Sequence, residues 1–167
     1  AVETLPFLFD SIRQTQEPGL LAVLPALLAE MGSPALPYLL QLLRTDEQES
    51  VRFCAATTLG RIRDCGAMPE LLQAFRYDTA IKVRVAAMRA LGLLGDRSLL
   101  PELHNTLETT TDPSLRAAIL FGLGVLGDTS AAPILQKAQE EEHPLLRYEA
   151  TQALRTLGLL ESASLSQ

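Results

Sequence analysis

Met68-Pro-Glu-Leu-Leu-Gln-Ala-Phe-Arg-Tyr77, then Asp78-Thr79, then Val83-Arg-Val-Ala-Ala-Met-Arg-Ala-Leu-Gly-Leu-Leu-Gly95 is the stretch that decides the architecture. In its first part Met68, Leu71, Leu72 and Phe75 recur at i, i+3, i+4 and i+7, which is one stripe of an amphipathic helix. Asp78-Thr79 interrupts the pattern with turn-forming side chains. In the last part Val83, Ala86, Ala87, Leu91 and Leu94 again follow helical spacing. Gly95 suits the position just past a helix end, and Asp96 can cap whatever starts next. The unit reads helix, short turn, helix, short turn.

The unit is copied along the chain. Pro-x-Leu recurs at Pro37, Pro69, Pro101 and Pro133, each 32 residues apart. Beside it runs a hydrophobe-Arg ladder, Val51-Arg52, Val83-Arg84, Leu115-Arg116 and Leu146-Arg147, spaced 32, 32 and 31. Leu91-Gly-Leu-Leu-Gly-Asp96 returns as Leu123-Gly-Val-Leu-Gly-Asp128 and, weakened, as Leu59-Gly-Arg-Ile-Arg-Asp64. Leu5-Pro6-Phe7-Leu8 matches Leu36-Pro37-Tyr38-Leu39, one residue short of the period. A period of this length marks a solenoid, whose units bury their apolar faces only against neighbours. The expected fold is all-α: a right-handed α-solenoid of about five stacked helix-turn-helix units, near 1–32, 33–64, 65–96, 97–128 and 129–160. Residues 1–160 form a single domain in this reading, and 161–167 a polar tail.

Small residues on the second helix of each unit have a packing reason. Ala55, Ala87, Gly92, Ala118 and Gly124 let helix axes approach closely, which offsets the roughly 1 kcal/mol that a mid-helix glycine costs. The recurring prolines open the first helices, where early amides lack intrahelical acceptors. Pro25 instead aligns with Thr57 inside a second helix, so a kink or break is expected there.

The pattern resembles the HEAT repeat, and within it the short bacterial variety named after phycobilisome lyases. The Pro-x-Leu first helix, an acidic turn residue and Val-Arg-x-x-Ala-x-x-x-Leu-Gly-x-Leu-Gly-Asp carry the resemblance over nearly the whole chain. It implies an Asp–Arg ladder between repeats, with Asp46 and Asp78 six residues before Arg52 and Arg84. Asp112 with Arg116, and Glu141 with Arg147, are looser matches. Gly19-Leu20 stands where the first repeat should carry its hydrophobe-Arg pair. The resemblance also implies that second helices line a concave face.

Composition bounds the chemistry. Lys+Arg number 14 against 20 Asp+Glu, a formal net charge of −6. That balance disfavours nucleic acid and anionic membranes as partners, since both need a basic face. A repeat-type DNA glycosylase fails for the same reason, lacking a basic cleft with aromatic interleaving. No apolar run is long enough for membrane insertion, and no signal peptide is recognisable. The start at a repeat boundary without Met suggests a processed chain or a fragment with repeats upstream. Cys54 aligns with Ala86 and Ala118 and reads as a buried thiol; Cys65 lies in a turn. Two cysteines without a CxxC motif and two distant histidines predict neither disulfide nor metal, and a cytoplasmic location.

No catalytic residues are predicted. His104 aligns with the core positions Leu40 and Leu72, and His143 sits in a turn before Pro144. The Leu-Gly-x-Leu-Gly segments close a helix rather than cradle a phosphate. Glu140, Glu141 and Glu142 read as a solvated helix end. The more informative positions lie two, five and six places past each hydrophobe-Arg step on the second helices. They give a candidate partner groove of Phe53, Val85, Met88, Leu120, Phe121 and Tyr148, with Arg89 and Gln152 as polar rim. Contiguous apolar surface rich in Met and aromatics is what partner grooves use.

Two functions are consistent with this reading. The first is a non-enzymatic scaffold or adaptor holding a protein or peptide segment, without cofactor. The alternative, implied by the resemblance, is a lyase-like subunit acting on bilin attachment to phycobiliproteins, with a bilin as its ligand. Fold likeness alone is a weak warrant for the second.

Overall fold

The computed structural model describes residues 4–15 and 18–160. Ten α-helices follow one another among these residues, and no strand occurs. They are α1 (Leu5–Thr15), α2 (Pro18–Ala29), α3 (Leu36–Thr45), α4 (Glu49–Ile62), α5 (Met68–Tyr77), α6 (Ile81–Leu94), α7 (Leu100–Thr109), α8 (Pro113–Val125), α9 (Ala132–Gln139) and α10 (Pro144–Thr156). Odd-numbered helices are the first members of the repeats and even-numbered ones the second. This is the all-helical, paired-helix repeat expected of an α-solenoid. The tail expected over 161–167 lies outside the described residues, as do the side chains of Gly19 and Leu20.

The repeat punctuation follows from three residue types. A 3-10 turn (Ser33–Ala35, Cys65–Ala67, Arg97–Leu99, Thr129–Ala131) leads into each first helix from α3 onward, and a proline stands in that helix's first turn. Asp64, Asp96 and Asp128 cap the last three of these turns by accepting the amides of Gly66, Ser98 and Ser130. Just before them the chain must pass through the left-handed region. Gly95 does so at φ 80° and Gly127 at 73°, but Arg63 stands at the same place with φ 57°.

The described residues fall into two compact units, Ala1–Leu94 and Gly95–Gln167. In the first, α4 packs against α3, α2 and α6, and α5 against α6. Leu5, Phe9, Ile12, Leu28, Leu39, Leu59, Leu71, Phe75, Met88 and Leu91 are among its fully buried large side chains. In the second, α10 packs on α8 and α9, and α7 on α8, with Leu103, Leu115, Leu135 and Leu154 buried. Close approach of second helices is visible in both. A Cβ placed on Gly60 would lie 2.7 Å from both Cα and Cβ of Ala90. On Gly124 it would lie 2.7 Å from Cα of Ala153. Gly124 thus has the packing role its sequence position suggested, and Gly60 shares it.

Pro25 does not break its helix. α2 runs through it, and Leu24 and Leu28 on either side are buried at 4% and 1% exposure. A proline inside a helix removes one amide donor and crowds the preceding turn, a cost that burial of these leucines offsets. No single helix among the described residues is long and apolar enough to cross a membrane.

Candidate functional site

The ion-pair ladder is present, but its rungs differ from those expected. Arg52 donates from Nε and one terminal nitrogen to the two oxygens of Asp78, at 2.8 and 2.9 Å. Its other nitrogen donates to the carbonyls of Asp46 and Glu47, at 2.9 and 3.0 Å. One guanidinium therefore fastens the turn of its own repeat to the turn of the next. Asp78 also accepts the Ala80 amide at 2.8 Å. Burial pushes the Asp78 pKa up, but the Arg52 bonds and this amide outweigh it and hold the carboxyl below its ordinary range. Arg116 makes the same two-pronged grip on Glu141, at 2.8 and 2.7 Å.

The remaining predicted rungs are corrected. Arg84 donates to the carbonyl of Phe75 at 2.9 Å, because the position 32 residues past Asp78 is Thr110, which carries no carboxylate. Asp112 instead caps α8, accepting the Leu115 amide at 2.9 Å. Arg147 is exposed, and its side chain forms no ion pair among the described residues. In the first repeat the cation comes from α1: Arg13 bonds Asp46 through two nitrogens. Nothing in the hydrophobe-Arg ladder pointed to Arg13. The one available sign was Asp46 itself, an acidic turn residue with no preceding rung.

The second-helix row is only partly a surface. Met88 is 0% exposed and Leu120 is 1% exposed, so these two predicted groove residues belong to the core. The physical reason is the close approach of second helices, which encloses the fifth position past the steps at Val51, Val83 and Leu115, whereas Thr151, five past Leu146, is half-buried. What remains in the first unit is Phe53, Val85 and Arg89, all half-buried. In the second unit Phe121 and Gln152 are half-buried, and Tyr148 is 60% exposed.

Sequence reasoning missed a cleft on the opposite, first-helix side of the first unit. Between α3 and α5 lies an open space of about 640 Å³. Arg52 and Asp78 line it at the helix ends, and Arg44, Glu70, Gln73 and Tyr77 line its walls. A smaller counterpart of about 400 Å³, next to Arg13, Tyr38 and Asp46, repeats the arrangement one repeat earlier. Turn residues set the width of such clefts, and a helical pattern does not reveal it.

The other candidate groups are structural. His104, aligned with leucines, is half-buried and its Nε2 lies 2.7 Å from Oδ2 of Asp128. Cys54 is buried, and burial pushes its thiol up to about 12. Cys65 is exposed. Among the described residues no three His, Cys, Asp or Glu side chains gather as a metal site would need.

This arrangement of paired helices, capped turns and cross-repeat arginines agrees with a family model. The model for HEAT repeats matches residues 5–80 and 68–155. The chain belongs to the HEAT-repeat family. HEAT repeats indicate a protein-binding helical scaffold. Among solved structures, the complex of CpcE and CpcF of phycocyanin lyase from Nostoc sp. PCC7120 is similar, with a TM-score of 0.66 and 26% identity. The match covers 86% of this chain and 61% of that one, so the chain spans under two thirds of its length. The HEAT repeats here thus resemble the phycobilisome-lyase type. No curated protein sequence matches the chain.

Proposed function

We propose that the chain is a non-enzymatic scaffold that holds a segment of a partner protein on its second helices. The observation that supports this most is Tyr148, 60% exposed on α10. With it go Phe53 and Val85 in the first unit and Phe121 in the second, where a purely solvated row would be polar. Aromatic side chains that are partly wet in the free protein and enclosed on binding are the residues that dominate interfaces. Arg89 and Gln152 supply polar contacts at the edges of the two patches. Two free cysteines fit a reducing compartment such as the cytoplasm.

Alanine substitution tests this directly. Tyr148→Ala and Phe53→Ala are each expected to weaken the complex with the protein's binding partner by about 2 kcal/mol, roughly 30-fold. Undiminished affinity in both variants removes the second-helix patches from the interface.

The similarity to the phycocyanin lyase complex favours a second reading, a lyase-like subunit acting on bilin attachment. Mixing the purified chain with phycocyanobilin then gives a shifted visible absorption band. An unchanged spectrum sets this reading aside and leaves the scaffold.

A further inference from the structure

We propose that α2 is the contact surface of a homodimer, in which a second copy of this chain lays its own α2 against Val23, Ala26 and Leu27. These side chains stand at i, i+3 and i+4 and form one stripe of the helix. Val23 is 56% exposed and Leu27 55%, and Ala26 between them is exposed as well. One repeat later the same positions are Ala55, Thr58 and Leu59, and two repeats later Ala87, Ala90 and Leu91; all six are buried. The cause is visible at Ala90, which lies against Gly60 of the preceding second helix. The stripe is therefore the side of a second helix that another helix covers, and on α2 no helix among the described residues covers it. Beside it on α1, Leu8 is 37% exposed, whereas its equivalents Leu39 and Leu71 are buried.

Charge and shape narrow what covers the stripe. No side chain of α2 is charged or able to hydrogen-bond, so a polar partner segment would lose its water there and gain no partner. An anionic membrane is disfavoured too, because interfacial helices carry Lys or Arg and this chain's net charge is −6. A second α2 meets the requirement: it is uncharged, apolar at the same positions, and thus self-complementary, as a two-fold contact demands. Ala26 at the centre of the stripe lets the two helix axes approach, as Ala90 does against Gly60, while Val23 and Leu27 of each copy pack to either side. The last helix of the second unit is unsuited to this role. On α10 the equivalent of Gly124 is Arg155, which is exposed, with half-buried Thr151 one turn before it. Head-to-tail growth would bury that guanidinium against leucines, so the contact closes as a pair and does not extend into a filament. With Leu8 and Phe7 the stripe offers on the order of 400 Å² of apolar surface per copy, the size at which a patch is often functional. Two such patches bury on the order of 800 Å², below the standard interface size, so the dimer is weak and reversible. It stands apart from the second-helix patches of the proposed scaffold.

Sedimentation velocity on the intact chain, from low-micromolar to near-millimolar concentration, tests the assignment. Wild type should pass reversibly from monomer to dimer and no further. Val23→Glu and Leu27→Glu each bury a carboxylate in the contact and should weaken the dimer at least tenfold, roughly the effect of losing one central anchor. Ala26→Leu should weaken it as well, by holding the helix axes apart. Tyr148→Ala and Arg155→Ala should leave it unchanged. Added salt should not dissociate it, because the contact is apolar and screening relieves the repulsion between two acidic copies. The assignment is overturned by a single-chain mass at every concentration, by assemblies that grow beyond two copies, or by dissociation in salt. It is equally overturned if Leu27→Glu or Ala26→Leu dimerises as well as wild type, or if Tyr148→Ala abolishes the dimer. Uptake of the chain by phosphatidylcholine vesicles that Leu27→Glu prevents, in place of dimerisation, would make a lipid surface the occupant instead. The substituted side chains are exposed, and unaltered helical circular dichroism checks that each variant is folded.

Discussion

Replacing Gly60 by alanine adds one methyl group to α4 at the point where it meets α6. The new Cβ would stand 2.7 Å from Cα and Cβ of Ala90, about 1 Å inside ordinary carbon–carbon contact. Two effects oppose each other. Alanine is favoured over glycine in a helix interior by about 1 kcal/mol. Forcing an extra carbon into a packed seam costs about 1–3 kcal/mol. Overpacking should win, because half of the obstruction is backbone, which no rotamer change can move aside. A net destabilisation of about 1–2 kcal/mol follows, or about 4 °C in Tm for a chain of this size. Thermal melting followed by circular dichroism at the helical band, together with urea unfolding, measures it. Adding Ala90→Gly to Gly60→Ala should recover less than half of the loss, since Cα of residue 90 stays where it was. A Gly60→Ala protein as stable as wild type, or more so, would refute the close-approach account. Full recovery in the double variant would place the obstruction on the Ala90 methyl alone.

Other outcomes follow from the same structure. Arg63→Gly should stabilise the chain by about 1 kcal/mol in urea unfolding, because a non-glycine residue at φ 57° carries a strain that Gly95 and Gly127 avoid. Arg52→Ala should cost about 3 kcal/mol, as it strands the nearly buried Asp78 carboxylate, whose side chain is 7% exposed. Asp78 is held below its ordinary range, so it binds its proton more readily unfolded than folded. Its stabilisation is complete above about pH 4 and is lost as pH falls through the depressed folded value. An acid titration of stability should therefore fall less steeply for Asp78→Asn than for wild type. A maleimide reagent should label Cys65 in the native protein and both thiols in urea, since burial pushes the Cys54 thiol up to about 12. Rapid native labelling of Cys54 would contradict its burial.

The fold was legible because its determinants are local and repeated. Pro37, Pro69, Pro101 and Pro133 mark helix starts, and the Gly-Asp pairs at 95–96 and 127–128 mark the turns. Each follows from backbone conformations that few other residues satisfy. What failed depends on distances between elements. The helical projection aims Met88 and Leu120 away from their own first helices, yet both are buried. The projection is silent on how near the neighbouring second helix comes, and Gly60 and Gly124 bring it near enough to close over such positions. Where the chain keeps its pattern, at Arg52 and Asp78, the ion pair joins one repeat to the next. The ladder departs from the pattern where a partner changes identity: Thr110 replaces a carboxylate, and Arg13 on α1 serves Asp46. The α3–α5 cleft left no trace in the periodicity, since side chains from two repeats shape it.

Site-specific photo-crosslinking in the native cell tests the scaffold account most directly. A photoreactive phenylalanine analogue placed at position 148 on α10, and separately at Ile134 on α9, reports which helix side a partner touches. The account predicts a discrete protein adduct from position 148, mapping to one segment of one partner, and little from position 134. Equal or stronger crosslinking from position 134, or none from 148 while the chain is held in a complex, would contradict it.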